Sequence, residues 1–136
     1  MEIRKYRDTD FDGIDALWKE AFPHDPPWNH ATNAVPAKTA FQPDLLFVAV
    51  DQGAVVGSVM AGYDGHRGWL YSVAVSQSHR RAGLGTTLVR KAEDALRSLG
   101  CGKVNLQVRS TNAAVVQFYE GLGYEIEDRV SLGRRF

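Results

Sequence analysis

One stretch limits what this chain can fold into more than any other. Residues 69–75, Trp-Leu-Tyr-Ser-Val-Ala-Val, are apolar enough for a central strand. His79, Arg80, Arg81, Ala82, Gly83, Leu84, Gly85 and Thr86 follow at once. Residues 84–99 then repeat apolar side chains at helical spacing, with Leu88, Ala92, Leu96 and Leu99 on one stripe and Val89 and Ala95 beside it. Glycines at 83 and 85 let backbone approach a ligand and take positive φ without a Cβ clash. The first N–H groups of the following helix have no partner inside it, and they sit at the positive end of its dipole. Strand, glycine loop and helix start together make a cradle for an anion, most often a phosphate. Arg80 and Arg81 add fixed positive charge beside it.

Two common nucleotide readings fail on named residues. The Walker A loop needs Gly-Lys-Ser/Thr, and no lysine follows Gly85. The dinucleotide fingerprint needs a third glycine, where Leu88 stands, and a carboxylate near residues 103–109, where there is none. The pattern that fits is Arg/Gln-x-x-Gly-x-Gly/Ala, read as Arg80-Arg81-Ala82-Gly83-Leu84-Gly85. It resembles the coenzyme A pyrophosphate loop of the GNAT superfamily of N-acetyltransferases. The plainer reading is that the glycines only permit a tight strand-to-helix turn.

Composition narrows the class. At 136 residues the chain is expected to be one domain, 1–136, long enough to bury a core. Lys+Arg and Asp+Glu both number 16, so the chain lacks the basic excess expected of a general nucleic-acid binder. A lone Cys101 rules out an intrachain disulfide and fits a reducing compartment. No apolar run reaches the roughly 20 residues needed to span a bilayer. The N-terminus lacks the apolar core of a secretory signal, so a cytoplasmic protein is expected, with no membrane partner. His24 and His30 have no further ligand at metal spacing, so no metal is expected.

Read in order, residues 2–6 suggest a short strand. Thr9 and Asp12 suggest a capping box, and Phe11, Ile14, Trp18 and Phe22 recur at helical spacing. Three prolines within residues 23–27 break that helix. The loop to His30 is either a plain connector or a specificity loop. A second short helix is expected over 31–40, interrupted near Pro36. Residues 45–50, 55–63 and 69–75 read as an antiparallel meander joined by short turns. After the long helix, which carries Glu93 and Arg97 as an expected i,i+4 pair, residues 103–109 alternate with period two as a fifth strand, parallel to the fourth. Asn112 is a plausible N-cap for a helix over 113–122. Residues 124–126 and 130–132 read as a final hairpin.

This order is similar to the GNAT fold over essentially the whole chain. A second motif supports it: the stretch from Asn112 to Tyr124 looks like the family's Asn-x6-Tyr-x3-Gly-Phe/Tyr signature. The turn Tyr63-Asp64-Gly65-His66-Arg67-Gly68 resembles that of a small bacterial subgroup, and there is some similarity to ribosomal-protein alanine acetyltransferases. The resemblance implies an α/β fold with a mixed six- to seven-stranded sheet and about four helices. It implies an acetyl-CoA-dependent N-acetyltransferase acting on a primary amine, of a small molecule or a peptide, by direct attack in a ternary complex.

By that resemblance, backbone from Arg81 to Thr86 would hold the pyrophosphate, with Arg80 beside it. Val73, Ala74 and Val75 would splay from strand five and bind the pantetheine arm, and a main-chain N–H near Val75 would polarise the acetyl carbonyl. Asn112 would hydrogen-bond pantetheine. Tyr119 would protonate the departing thiolate as general acid. Some relatives carry a glutamate on strand five as general base. Here Gln107 stands in its place, and an amide is not a base. The base is therefore open among Asp64, His66, His79, Glu125 and ordered water. A catalytically silent coenzyme A-binding module of the same fold is the alternative. An exposed strand edge near the C-terminus would allow a homodimer.

Overall fold

The computed structural model describes residues 1–136. It divides into two compact units, Met1–Leu106 and Gln107–Phe136. The first is built on a sheet in the order β1-β2-β3-β4-β5. These strands are β1 (Glu2–Lys5), β2 (Leu46–Asp51), β3 (Ala54–Tyr63), β4 (Gly68–Val75) and β5 (Val104–Asn105). The first four pair antiparallel, and β4 pairs with β5 in parallel, so the sheet is mixed as expected.

Two layers of helix cover it. On one face lie α1 (Phe11–Ala21) and α2 (Ala31–Phe41). Ile14, Leu17 and Trp18 of α1 and Ala31 and Val35 of α2 form one buried cluster with Leu46, Val48, Met60 and Ala74 of the sheet. The sheet residues alternate in sequence because successive strand side chains point to opposite faces. On the other face lies α3 (Leu84–Ser98), which buries Leu84, Leu88, Val89, Ala92 and Leu96. Two strand glycines set how close α3 comes. A Cβ on Gly57 would stand 2.8 Å from Leu88 Cδ1, and one on Gly68 would stand 2.8 Å from Cys101 Sγ and 3.0 Å from Leu96 Cδ1. The second unit holds α4 (Ala113–Gly121) and the C-terminal segment.

Several expectations need correction. The sheet has five strands, not six or seven. The fifth is only two residues long. The hairpin expected of 124–126 and 130–132 forms no ladder; the local backbone bond is a tight turn, Arg129 N–H to Glu127 C=O at 2.9 Å. An isolated hairpin is marginal unless one face is buried, and Ile126, Val130 and Leu132 are all exposed. Pro36 does not interrupt α2, which runs through it. The proline forgoes a single bond to the carbonyl one turn back, and burial of Ala31 and Val35 holds the helix. The Glu93–Arg97 pair does not form: Arg97 bonds Asp94 at 3.1 Å, while Glu93 is buried and bonds Arg90 at 2.8 Å.

The cap of α1 also shifts from Thr9 to Asp10. Asp10 is buried and accepts from Arg7 N–H at 2.8 Å and from Arg4 Nη1 and Nη2 at 2.7 and 2.9 Å. This two-pronged bond ties β1 to the start of α1. The Arg4 guanidinium, with the Arg7 N–H behind it, holds the Asp10 carboxyl below its ordinary range. The folded pKa is thus lower than the unfolded value, near 3.9. The bond's contribution is full above about pH 4 and is lost as pH falls through the depressed folded value. Asp10→Asn is expected to cost about 1–3 kcal/mol at neutral pH. It should also flatten the acid limb of the stability profile, as read by urea melts between pH 2 and 7. An unchanged acid limb would refute the assignment.

Candidate functional site

The residues singled out in the sequence fall into two groups. Val73, Ala74, Val75 and residues 80–86 belong to the first unit; Asn112 and Tyr119 belong to the second.

In the first group the governing feature is a break in the pairing of β3 with β4. Ser58 faces Ala74 and Met60 faces Tyr71, so two residues of β4, Ser72 and Val73, oppose one of β3. This is a β-bulge, which bends the strand and re-aims its backbone. Ser72 takes φ 52°, a left-handed conformation that a side chain disfavours. A buried hydroxyl holds it there. Trp18 Nε1–H donates to Ser58 Oγ at 2.8 Å, and Ser58 Oγ–H donates to the Ser72 carbonyl at 2.8 Å. Ser58 is fully buried, so both bonds lie in low dielectric. The ladder between β4 and β5 pairs only Gly68 with Val104 and Trp69 with Asn105. From Leu70 to Val75, β4 runs on past that ladder.

Beyond Val75 the chain is moored twice. Gln77 N–H donates to Glu20 Oε1 of α1 at 2.8 Å. The His79 ring lies with Nε2 2.8 Å from Asp51 Oδ2 and Nδ1 2.8 Å from Ser78 Oγ. Arg80 Nε donates back to the Val75 carbonyl at 3.2 Å. Then come two left-handed residues, Arg81 at φ 66° and Gly83 at φ 80°. Gly83 is the N-cap of α3, and no side chain caps that helix. Its first internal bond is Thr87 N–H to Gly83 C=O at 3.1 Å. The N–H groups of Leu84, Gly85 and Thr86 therefore precede the ladder. With the two arginines alongside, this arrangement favours an anion.

In the second unit Asn112 caps α4, its Oδ1 accepting from Val115 N–H at 3.4 Å. That use leaves its amide NH₂ as the group able to donate elsewhere. Tyr119 is buried on α4 between two edge-on rings, Phe118 at 5.0 Å and Tyr124 at 5.5 Å. Burial pushes its hydroxyl up to about 12. Gln107 donates its amide to Ser131 Oγ, a further sign that this position is not a base.

Among the open base candidates, Asp64 is committed to its turn. Its Oδ1 accepts from His66 N–H and Arg67 N–H, both at 2.7 Å, and those two bonds hold its pKa below the ordinary carboxylate range. His79 has contacts on both ring nitrogens, with Asp51 and with Ser76 and Ser78. His66 and Glu125 lie exposed on the surface. The residues missed in the sequence are Ser58 and Ser72. A serine inside an otherwise apolar strand was the available signal for the first; nothing local marks the second.

Comparison with known proteins matches residues 11–124 to the Acetyltransferase (GNAT) family. The chain is 43% identical over 136 residues to an acetyltransferase of Sodalis glossinidius, covering 99% of this chain and 95% of that protein. Among solved structures, it superposes with a TM-score of 0.74 on the ribosomal-protein-S18-alanine N-acetyltransferase of Escherichia coli. That pair is 26% identical and covers 90% of this chain and 76% of the other. An aminoglycoside N-acetyltransferase, AAC(6')-Iy, solved with a coenzyme A bisubstrate analogue, shares the fold with a TM-score of 0.78. It is 21% identical and covers 99% and 97% of the two chains.

The bulge network yields a direct test. Ser58→Ala strands the buried Trp18 N–H and releases the Ser72 carbonyl. It is expected to lower unfolding free energy by about 1–3 kcal/mol, read by urea titration. Amide exchange at Val73 and Ala74 should quicken more than at Val48. Equal quickening at all three would mean that Ser58 supports the core and not the bulge.

Proposed function

The chain belongs to the acetyltransferase (GNAT) family, and from that premise we infer that it moves an acetyl group from acetyl-CoA to a primary amine in a ternary complex. The observation that carries this reading is the uncapped start of α3 behind left-handed Arg81 and Gly83. The donor's pyrophosphate fits there because backbone N–H groups and two arginines supply matched positive potential without a competing carboxylate. The β4 backbone after the bulge is the proposed seat of the pantetheine arm, with Asn112 as a further donor to it. The family match crosses the boundary between the two units, which supports reading 1–136 as one catalytic domain.

The chemistry needs four things. The amine must arrive neutral, so its ammonium form gives up a proton to solvent or a base. Its lone pair attacks the thioester carbonyl. A main-chain N–H near Val75 steadies the oxygen as negative charge develops. The C–S bond then breaks, and the thiolate leaves with a hydrogen bond from a donor that stays protonated. Tyr119 is proposed as that donor. A free thiol has a pKa near 8.5, so complete transfer from a hydroxyl near 12 would be uphill by about 5 kcal/mol. Tyr119 is thus better suited to hold the departing sulfur by a hydrogen bond while the amine's own surplus proton completes the balance. The acceptor is either a small amine or a peptide amine; the similarity to the Escherichia coli alanine acetyltransferase supports the second.

Calorimetry with acetyl-CoA tests the donor site. A Cβ on Gly83 meets nothing within 4 Å, so Gly83→Val acts on the backbone conformation and on ligand approach, not on packing. It is expected to weaken binding at least about a hundredfold, near 3 kcal/mol, with the near-UV circular dichroism retained. No binding by the unaltered protein at millimolar acetyl-CoA would overturn the reading. Binding without thiol release across an amine panel would leave the silent module. Tyr119→Phe is expected to lower kcat by about 10²–10³, the loss of one hydrogen bond to developing charge, with acetyl-CoA affinity kept. Because Tyr119 stays protonated to about pH 12, it should impose no alkaline limb on kcat between pH 7 and 10.

A further inference from the structure

The face of the sheet that carries α1 and α2 has a feature that the donor site does not use. Lys38, in the last turn of α2, is half-buried beside β3. Its Nζ donates to Gln42 Oε1 at 3.0 Å, and it makes no ion pair with a carboxylate of this chain. Gln42 is itself held in place. Its Nε2 donates to the Tyr63 carbonyl at 2.8 Å and its Oε1 accepts from Tyr63 N–H at 3.3 Å, like an added strand residue. Gly62 is the next residue inward, paired with Trp69 across the ladder. A Cβ on Gly62 would lie 3.8 Å from Lys38 Nζ, 3.8 Å from Gln42 Oε1 and 3.8 Å from Tyr71 Cε2. An ammonium, a carbonyl and a half-exposed phenol ring thus converge over a glycine floor.

We propose that this niche binds a carboxylate of the acceptor molecule, with Lys38 as its counter-ion. The proposal rests on the acetyltransferase reading and deepens it by giving the substrate's chemical class. A half-buried ammonium with one neutral partner is under-compensated, and a ligand carboxylate would supply what the chain lacks. Burial pulls the Lys38 amine down to about 8, so it stays charged at neutral pH. The missing side chain at Gly62 leaves room for one small group in contact with Lys38, and Tyr71 walls one side.

Position sets the substrate's length. Tyr71 directly precedes the bulge at Ser72–Val73 and stands four residues before Val75. At about 3.3 Å per strand residue, the niche is about 13 Å along β4 from the proposed seat of the acetyl carbonyl. An α-amino acid is too short to bridge that gap. A peptide of about four residues, or an ω-amino acid as long, spans it.

The test is a steady-state comparison of matched acids and amides as acceptors: 11-aminoundecanoate against 11-aminoundecanamide, and tetraglycine against tetraglycinamide, with thiol release as the readout. The unaltered protein should prefer each acid over its amide by about tenfold or more in kcat/KM. Lys38→Met should raise KM for the acids about tenfold and remove the preference, leaving kcat and the KM for acetyl-CoA unchanged. Lys38→Arg should restore part of it. Gly62→Val, which fills the niche and leaves the charge in place, should raise acid KM in the same way. A merely structural Lys38 would shift acids, amides and acetyl-CoA alike. Equal use of acids and amides by the unaltered protein, or a preference that survives Lys38→Met, would overturn the inference and leave the acetyltransferase reading standing. Acetyl-CoA binding with no acceptor turned over would overturn both.

Discussion

One buried hydroxyl governs the geometry of the first unit. Ser58 accepts from Trp18 and donates to the Ser72 carbonyl. Through those two bonds α1 reaches across β3 and fixes the irregular point of β4. Remove the bulge, and β4 is an ordinary strand whose polar groups belong to its neighbours. With it, the strand turns as it passes the end of the β5 ladder, and the chain enters the loop at a set angle. Ser72 gives up a comfortable backbone conformation to allow this, a cost of about 1–2 kcal/mol. Strain of that kind persists only where surrounding structure holds it, and here the holding group is visible.

The loop that follows is held just as deliberately, but from outside. Glu20 of α1 and Asp51 at the end of β2 each take a donor from residues 77–79. The cradle at the head of α3 therefore inherits its position from the two helices' side of the sheet as well as from β4. Within the loop, His79 bonds Ser76 and Ser78 and Arg80 bonds the Val75 carbonyl, while Ala82 and Gly83 beyond them are exposed.

Much of this was legible in the sequence, and the pattern of what was missed is informative. The helices and the meander rest on apolar periodicity, which is a property of single segments, so they could be read directly. The loop's glycines and the Asn112–Tyr124 spacing are also local. The bulge is different: it depends on a tryptophan forty residues from the serine it bonds, and Ser72 carries no composition signal. The Gln42 clasp on Tyr63, twenty-one residues away, is equally silent. The short fifth strand and the missing hairpin failed for the opposite reason. Alternation in 103–109 and 124–132 was present, but alternation says which residues share a face, not whether anything covers that face. Pro36 misled because one lost hydrogen bond is small against the burial of its helix.

The left-handed pair at Arg81 and Gly83 has a consequence for how the donor site is encoded. Its ligand-facing groups are peptide N–H donors, which every residue but proline possesses. Side-chain identity at 82 and 84 thus says little about anion binding, and chemistry-based comparison of those positions would find nothing to compare. What is stored there is handedness. At φ 80° a D-residue would sit at position 83 in its favoured backbone region, while its mirror image would not. The site's most exacting requirement is stereochemical, written in the chirality of one backbone position and not in any functional group.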